Sequence, residues 1–351
     1  MKASRPVALL LAAALLVALS GCAPILSRTY SAETAHVSTG SGADDALSAD
    51  SYNALIEVLL SRIALHESTC SVQLPWPDED PTERIQAACQ EILQGAPLGV
   101  YAVEDITFDV VRIVSYYEAN FSIDYLRSAA EVNAIRDVVG TYGVRLALAD
   151  TLAAFRPTLT LHTAYYSGDT AAIEALVRKV YEEQPLSALG LQSVTVALYP
   201  EEGPDRILEL AFDYGQDPET LAERQAQLQE RLEEITITGD EAEQALSLCR
   251  FLSANARLVT PEDPASLPFC ASAWDTLCNG AGTEESFALA YACLCQSRGI
   301  NCSVLHGTRT GVPCVWDLVT LSDGTQFHVN AARSVGLYSD EEVQNAGYVW
   351  E

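Results

Sequence analysis

Asn279-Gly-Ala-Gly-Thr-Glu-Glu-Ser-Phe-Ala288 is the stretch on which the reading of this chain turns. Gly280 and Gly282 predict a tight loop, and Thr283 is a good N-cap for a helix running to about Arg298. Glu284 and Glu285 then fall in the first turn, where carboxylates suit the positive end of the helix dipole. From Phe287 to Cys295 the sequence is apolar nearly all round, which places this helix inside a core. Gly299 supplies the stop. Strands are expected over 301–305, 313–321 and 326–330, with a turn over 322–325. A three-residue loop of Ser322, Asp323 and Gly324, with Gly324 left-handed, pairs position 316 with 330. That register puts Cys314, Trp316, His328 and Asn330 on one face.

These residues resemble the bacterial transglutaminase-like superfamily, whose papain-like fold carries a Cys–His–Asp triad. Asn279-Gly-Ala-Gly282, Phe287-Ala288, Gly299-Ile-Asn-Cys302, Trp316 and Phe327-His-Val329 fit the family pattern. The three chemical positions do not. Glu284 stands where the family has its nucleophilic Cys, Cys314 where it has His, and Asn330 where it has Asp. Positions 314 and 330 keep the family spacing of 16 residues, and the likeness covers about 240–335, roughly a quarter of the chain. The fold implied for this part is papain-like, and the residues argue against the family chemistry. A helix N-terminus and an imidazole activate the family thiol, and Glu284 offers no thiol. Catalysis by a relocated nucleophile, Cys314 with His328 as base, is the alternative. Glu284 and Glu285 make no acid–base pair, because adjacent helical positions diverge by about 100°.

Lys2 and Arg5 precede a thirteen-residue apolar run from Val7 to Leu19. That is shorter than the roughly 20 residues a membrane span needs, and it has the form of a secretory signal. Leu19-Ser-Gly-Cys22 is similar to the bacterial lipobox, which implies cleavage before Cys22 and acylation of its thiol. Residues 1–21 are therefore expected to be a signal peptide and 22–45 a flexible tether to an extracytoplasmic membrane face.

With 48 acidic against 20 basic residues the net charge is −28, and loss of Lys2 and Arg5 makes it −30. Such a surface disfavours nucleic acid and anionic headgroups, leaving the acyl chains as the membrane attachment. Ten cysteines fit an exported chain. Cys70 with Cys89, and Cys270 with Cys278, are candidate disulfides. Cys293, Cys295 and Cys302 read as buried thiols. No ligand spacing for a metal is present, and no cofactor is expected. His66 and His162 read as satisfied or exposed histidines and not as metal ligands.

Residues 46–240 contain a long period. Strands expected from Val103 and from Leu191 start 88 residues apart, and their successors end alike, in Phe121-Ser-Ile-Asp-Tyr125 and Leu210-Ala-Phe-Asp-Tyr214. Helices over 81–94 and 170–184 precede them, after strands over 70–74 and 158–163. The fold class is thus α+β: two tandem β-α-β-β repeats at 46–155 and 156–238, then a transglutaminase-like domain at 239–351. Connecting helices are expected at 50–67, 128–154 and 217–235. Tyr116, Tyr117, Tyr165 and Tyr166 fall at strand ends, as groove linings or as packing.

The sequence leaves two readings of function. One is a membrane-anchored surface lipoprotein whose inactive transglutaminase-like domain is a binding or scaffold module for a protein or peptidoglycan partner. The other is an active cysteine hydrolase or amide-transfer enzyme of altered constellation. Trp316 and His328 are the candidate groove residues in either.

Overall fold

The computed structural model describes residues 47–77, 80–260 and 271–350. The expected signal peptide, tether and Cys22, as well as Cys270, lie outside the described residues. Residues 1–45 and 46–351 are separate units, and every described element belongs to the second.

The first sheet is built from β1 (Leu47–Ser48), β2 (Thr69–Leu74), β3 (Val103–Ile113) and β4 (Tyr116–Tyr125), in the order β1-β2-β4-β3. Helices α1 (Tyr52–Ala64), α2 (Thr82–Gln94) and α3 (Pro97–Ala102) belong with it. Leu55, Leu59 and Ile63 repeat at helical spacing on α1 and are fully buried, as are Ile85 and Ile92 of α2. Val72, Leu74, Ala119, Phe121 and Ile123 meet them from the sheet. Each of these Val, Leu, Ile and Phe side chains contributes about 1.5–3 kcal/mol by leaving water.

After α4 (Ala129–Asn133) the same plan recurs. The elements are β5 (Arg136–Val139), α5 (Gly140–Ala153), β6 (Thr158–Ala164), α6 (Thr170–Glu183), β7 (Leu191–Tyr199) and β8 (Arg206–Tyr214), with sheet order β5-β6-β8-β7. In both sheets the first pair is parallel and the other two are antiparallel. The irregularities recur as well. A register shift between Val103 and Asp105 is matched by one between Leu191 and Ser193. His66 and Phe155, 89 positions apart, both have φ near +50° (57° and 50°) at the exit of a helix.

The helix expected over 128–154 is therefore not continuous. Val138 and Val139 are β-branched and pair in parallel with β6, and Gly140 at φ +59° turns the chain from strand into helix. The second sheet consequently begins near residue 136, inside the segment expected to belong to the first repeat. The helices at 50–67 and 128–154 are parts of β-α-β units and not connectors.

The chain continues through α7 (Pro218–Glu234), α8 (Glu241–Asn255), β9 (Arg257–Leu258), α9 (Ala273–Leu277) and β10 (Ala281–Gly282) to α10 (Glu284–Gln296). Then come β11 (Asn301–Arg309), β12 (Val312–Thr320), β13 (Gln326–Val329), α11 (Asp340–Asn345) and β14 (Tyr348–Trp350). The last four strands form an antiparallel sheet, β13-β12-β11-β14. Every residue of α10 from Ser286 to Cys295 is buried. One continuous core joins α10 to the second sheet, from Val144 to Ala331. The boundary at 238 is thus a change of secondary structure across a shared interior. No helix among the described residues is long and apolar enough to cross a membrane.

Of the two expected pairs, Cys70–Cys89 is not formed, and Cys270–Cys278 has one member, Cys270, outside the described residues. Cys70 and Cys89 both face the first core as free thiols, and Cys278 is an exposed free thiol. Burial pushes the Cys89 thiol up to about 12.

Candidate functional site

Helix α10 starts where the sequence places it. Thr283 Oγ1 accepts from Ser286 N at 3.2 Å, and Gly280 is left-handed at φ +71°. At Gly282 a Cβ would come within 2.4 Å of Thr276 Oγ1 and 2.7 Å of Ser286 Cβ, so only glycine lets the loop press against the helix. This presents Glu284 at the helix start with its side chain only 16% exposed.

The hairpin of β12 and β13 closes on Ser322, Asp323 and Gly324, with Gly324 at φ +86°. The register pairs Asp317 with Val329 and Leu318 with His328, so 316 faces 330. Cys314, Trp316, His328 and Asn330 are all buried on the same side.

The three substituted triad positions meet. The Cys314 thiol donates to Glu284 Oε1 at 3.8 Å, and Asn330 Nδ2 donates to Cys314 Sγ at 3.6 Å. Asn330 Nδ2 also donates to Tyr348 OH at 3.3 Å. Arg333 Nε donates to Glu284 Oε1, and this bond raises the guanidinium pKa further. Burial, followed by the charge of Glu284, pushes the Cys314 thiol up to about 11. A thiol nucleophile needs the opposite influence. At neutral pH Cys314 is a protonated donor to a carboxylate, and Asn330 has no titrating group to offer.

Nor does His328 serve Cys314. Trp316 Nε1–H donates to His328 Nδ1 at 2.9 Å, and His328 Nε2 bonds Asp340 Oδ1 at 3.1 Å. An Nδ1 that accepts fixes the tautomer, so Nε2–H donates to Asp340. Both ring nitrogens are engaged, and no hydrogen bond joins the imidazole to Cys314. The ring also packs 4.6 Å from the Trp350 centroid. The structure therefore does not assemble the Cys314–His328 pair of the alternative reading. Glu285 turns away as adjacent helical positions must. Its carboxylate lies 3.4 Å from Arg178 on α6.

Behind the site, Asp317 is 1% exposed, and its Oδ1 accepts from the Cys302 thiol at 3.6 Å. Burial, with no cation beside it, holds this carboxyl well above its ordinary range. Alternation along β12 carries the signal for this residue: 314 and 316 share one face, and 315, 317 and 319 share the other. Arg309, Arg333, Asp340 and Tyr348 belong to the site, but no motif distinguishes them. They arrive from a strand end, a loop, a helix start and the last strand.

Elsewhere, His66 Nε2 bonds Arg127 O at 2.9 Å, and the ring stacks on Tyr125 at 3.9 Å. His162 lies between Asp137 and Asp205, at 2.8 and 2.9 Å. No group of three or more metal-ligating side chains is placed to hold an ion among the described residues. Tyr165 and Tyr166 line an open depression with Lys179, whereas Tyr117 is buried.

No protein-family model and no curated protein sequence matches the chain. Among solved structures it is similar to Legionella pneumophila LapG, treated with EGTA, at 11% identity and a TM-score of 0.29. That match covers 38% of this chain and 74% of LapG. It is likewise similar to a TGase at 13% identity and a TM-score of 0.28, over 54% of this chain and 57% of that one.

Proposed function

We propose that this chain is a lipid-anchored envelope protein whose C-terminal part binds a partner or ligand without turning it over. The observation that carries this reading is the environment of the Cys314 thiol. It faces the Glu284 carboxylate at 3.8 Å and an amide at 3.6 Å, while the imidazole nearby is locked between Trp316 and Asp340. Acid–base assistance is worth roughly 10² to 10⁴-fold and requires a group titrating near the working pH. Cys314 is pushed up to about 11, and Asn330 has no titrating group to supply. Attachment rests on Leu19-Ser-Gly-Cys22 and on the acidic character of the remaining chain. Two acyl chains hold a protein stably where one would not.

The test has two parts. Purified protein should show no amide hydrolysis and no glutamine–lysine crosslinking above background. Glu284→Cys, Cys314→His and Asn330→Asp together should create a thiol that iodoacetamide labels readily, and triad members act as a unit, so single changes should recover almost nothing. Turnover by the wild type that is lost in Cys314→Ala would restore the hydrolase reading. In cells, Cys22→Ala should abolish fatty-acid labelling and membrane retention, and a variant that stays labelled and membrane-bound would refute the anchor.

A further inference from the structure

Beside the Glu284–Cys314–Asn330 cluster, a cavity of about 340 Å³ opens between α11, β14 and the β12–β13 face. Its size lies at the lower end of the range for small-molecule sites, which run from roughly 300 to 1,000 Å³. Arg309, the last residue of β11, lines it. The guanidinium carbon lies 5.5 Å from the Tyr348 ring centroid, which fixes the side chain against β14. Among the described residues no carboxylate is within ion-pair distance of Arg309, and its Nε is buried with no hydrogen-bond partner. Of the buried unpartnered side-chain atoms described, this is the one that carries positive charge. An unmatched donor of that kind is costly, and it needs an explanation.

The second guanidinium at the cavity, that of Arg333, is anchored on Glu284 through Nε. Trp316 and Val343 provide an apolar wall. The lining also includes one carboxylate, Glu342, whose Oε2 is occupied by Ser339 N and Oγ at 2.8 and 2.9 Å in the cap of α11. Two arginines and an indole lining one cavity describe a complement for an anion joined to an apolar body. A guanidinium matches a carboxylate in a planar two-bond geometry that an ammonium does not offer.

We infer that this cavity is a binding site for a small ligand in which an apolar or aromatic body ends in a free carboxylate, of single-residue to dipeptide size. The inference rests on the reading that this part of the chain binds and does not cleave. Such a carboxylate occurs on free acylated amino acids and on the C-terminus of a peptide, so the test includes both.

The full chain is titrated calorimetrically with N-acetylphenylalanine, its amide, and N-acetyl-Ala-Ala-Phe with a free carboxylate. The acid should bind about tenfold or more tightly than the amide, as expected when a charge-assisted bond is removed. Arg309→Gln should erase that preference without lowering the melting temperature. Ala346→Trp, at an exposed cavity residue, should block both ligands by filling the space. A tripeptide that binds as well as the single residue marks a chain terminus as the ligand, and weaker tripeptide binding marks a free acid. Equal affinity for acid and amide, no heat from either, or a preference that survives Arg309→Gln would overturn the inference. Mass spectrometry of the recovered tripeptide separates the two claims. Cleavage overturns the non-catalytic reading whatever the affinities, and an intact peptide with no acid preference overturns only the ligand class.

Discussion

At the scale of single residues, two buried groups are held in their neutral forms. The Cys314 thiol, pushed up to about 11, leaves on the order of 10⁻³ or less as thiolate near neutral pH. Peptide mapping after iodoacetamide treatment should therefore find Cys314 alkylated far more slowly than free cysteine. Glu284→Gln should move the inflection of its rate–pH profile downward, because the carboxylate raises the thiol while Arg333 lowers it. A profile unmoved by the substitution would leave burial as the whole cause. Asp317 is shifted in the same direction. Its folded pKa is raised, so the native state holds the proton more tightly than the unfolded chain does. Its contribution to stability is whole below the ordinary 3.8 and is lost as pH rises from there through the folded value. The loss is about 1.4 kcal/mol per pH unit across that window. Asp317→Asn keeps the shape and removes the titration. It should melt at a higher temperature than wild type at alkaline pH, with the gap closing as the pH falls.

At the scale of elements, the hairpin between β12 and β13 decides which residues share a face. Its three-residue turn depends on Gly324 at φ +86°. A Cβ there would touch nothing within 4 Å, so the cost of Gly324→Ala is backbone strain alone, about 1–2 kcal/mol. Thermal unfolding should show that loss, and Gly324→Asn should suffer less, since asparagine tolerates the left-handed region. An unchanged melting temperature for Gly324→Ala would mean that the turn rearranges. This loop was legible in the sequence because turn chemistry and the two-residue strand period admit few registers. The break of 128–154 into α4, β5 and α5 was not legible. Val138 and Val139 sit in a segment of helical period on either side, and only pairing with β6 makes them a strand.

At the scale of the whole unit, the second sheet and α10 share one interior, and polar contacts line the seam between α6 and the last sheet. Glu182 of α6 meets His306 of β11 at 2.7 Å, and Arg178 meets Glu285. The bond to Glu182 raises His306, and burial raises Glu285. Both folded values lie above the ordinary ones of 6.5 and 4.5, so both groups stabilise the seam at lower pH and lose that contribution as pH rises through the folded values. The protection of α6 against hydrogen exchange, taken relative to the intrinsic rate at each pH, should fall between mildly acidic and alkaline pH, and His306→Gln should flatten the part of that response above pH 6.5. Equal slopes in wild type and variant would mean that the seam is held by its apolar core.

What the chain's own pattern determined is the set of properties that local chemistry controls. These are the cap at Thr283, the all-round apolar α10, the turn at Gly324, and the identities at 284, 314 and 330 that withhold a thiolate, an imidazole and a carboxylate from their expected posts. Periodicity and turn geometry act over a few residues, so they can be read in order. Only the tertiary structure decided which distant groups meet. It brought Arg333 onto Glu284 and Asp340 onto His328, set Arg309 against Tyr348 at a cavity wall, and merged the second sheet with α10 into one core. Those outcomes depend on helix–sheet packing and strand order between residues a dozen to more than a hundred positions apart, and no local periodicity encodes such a separation.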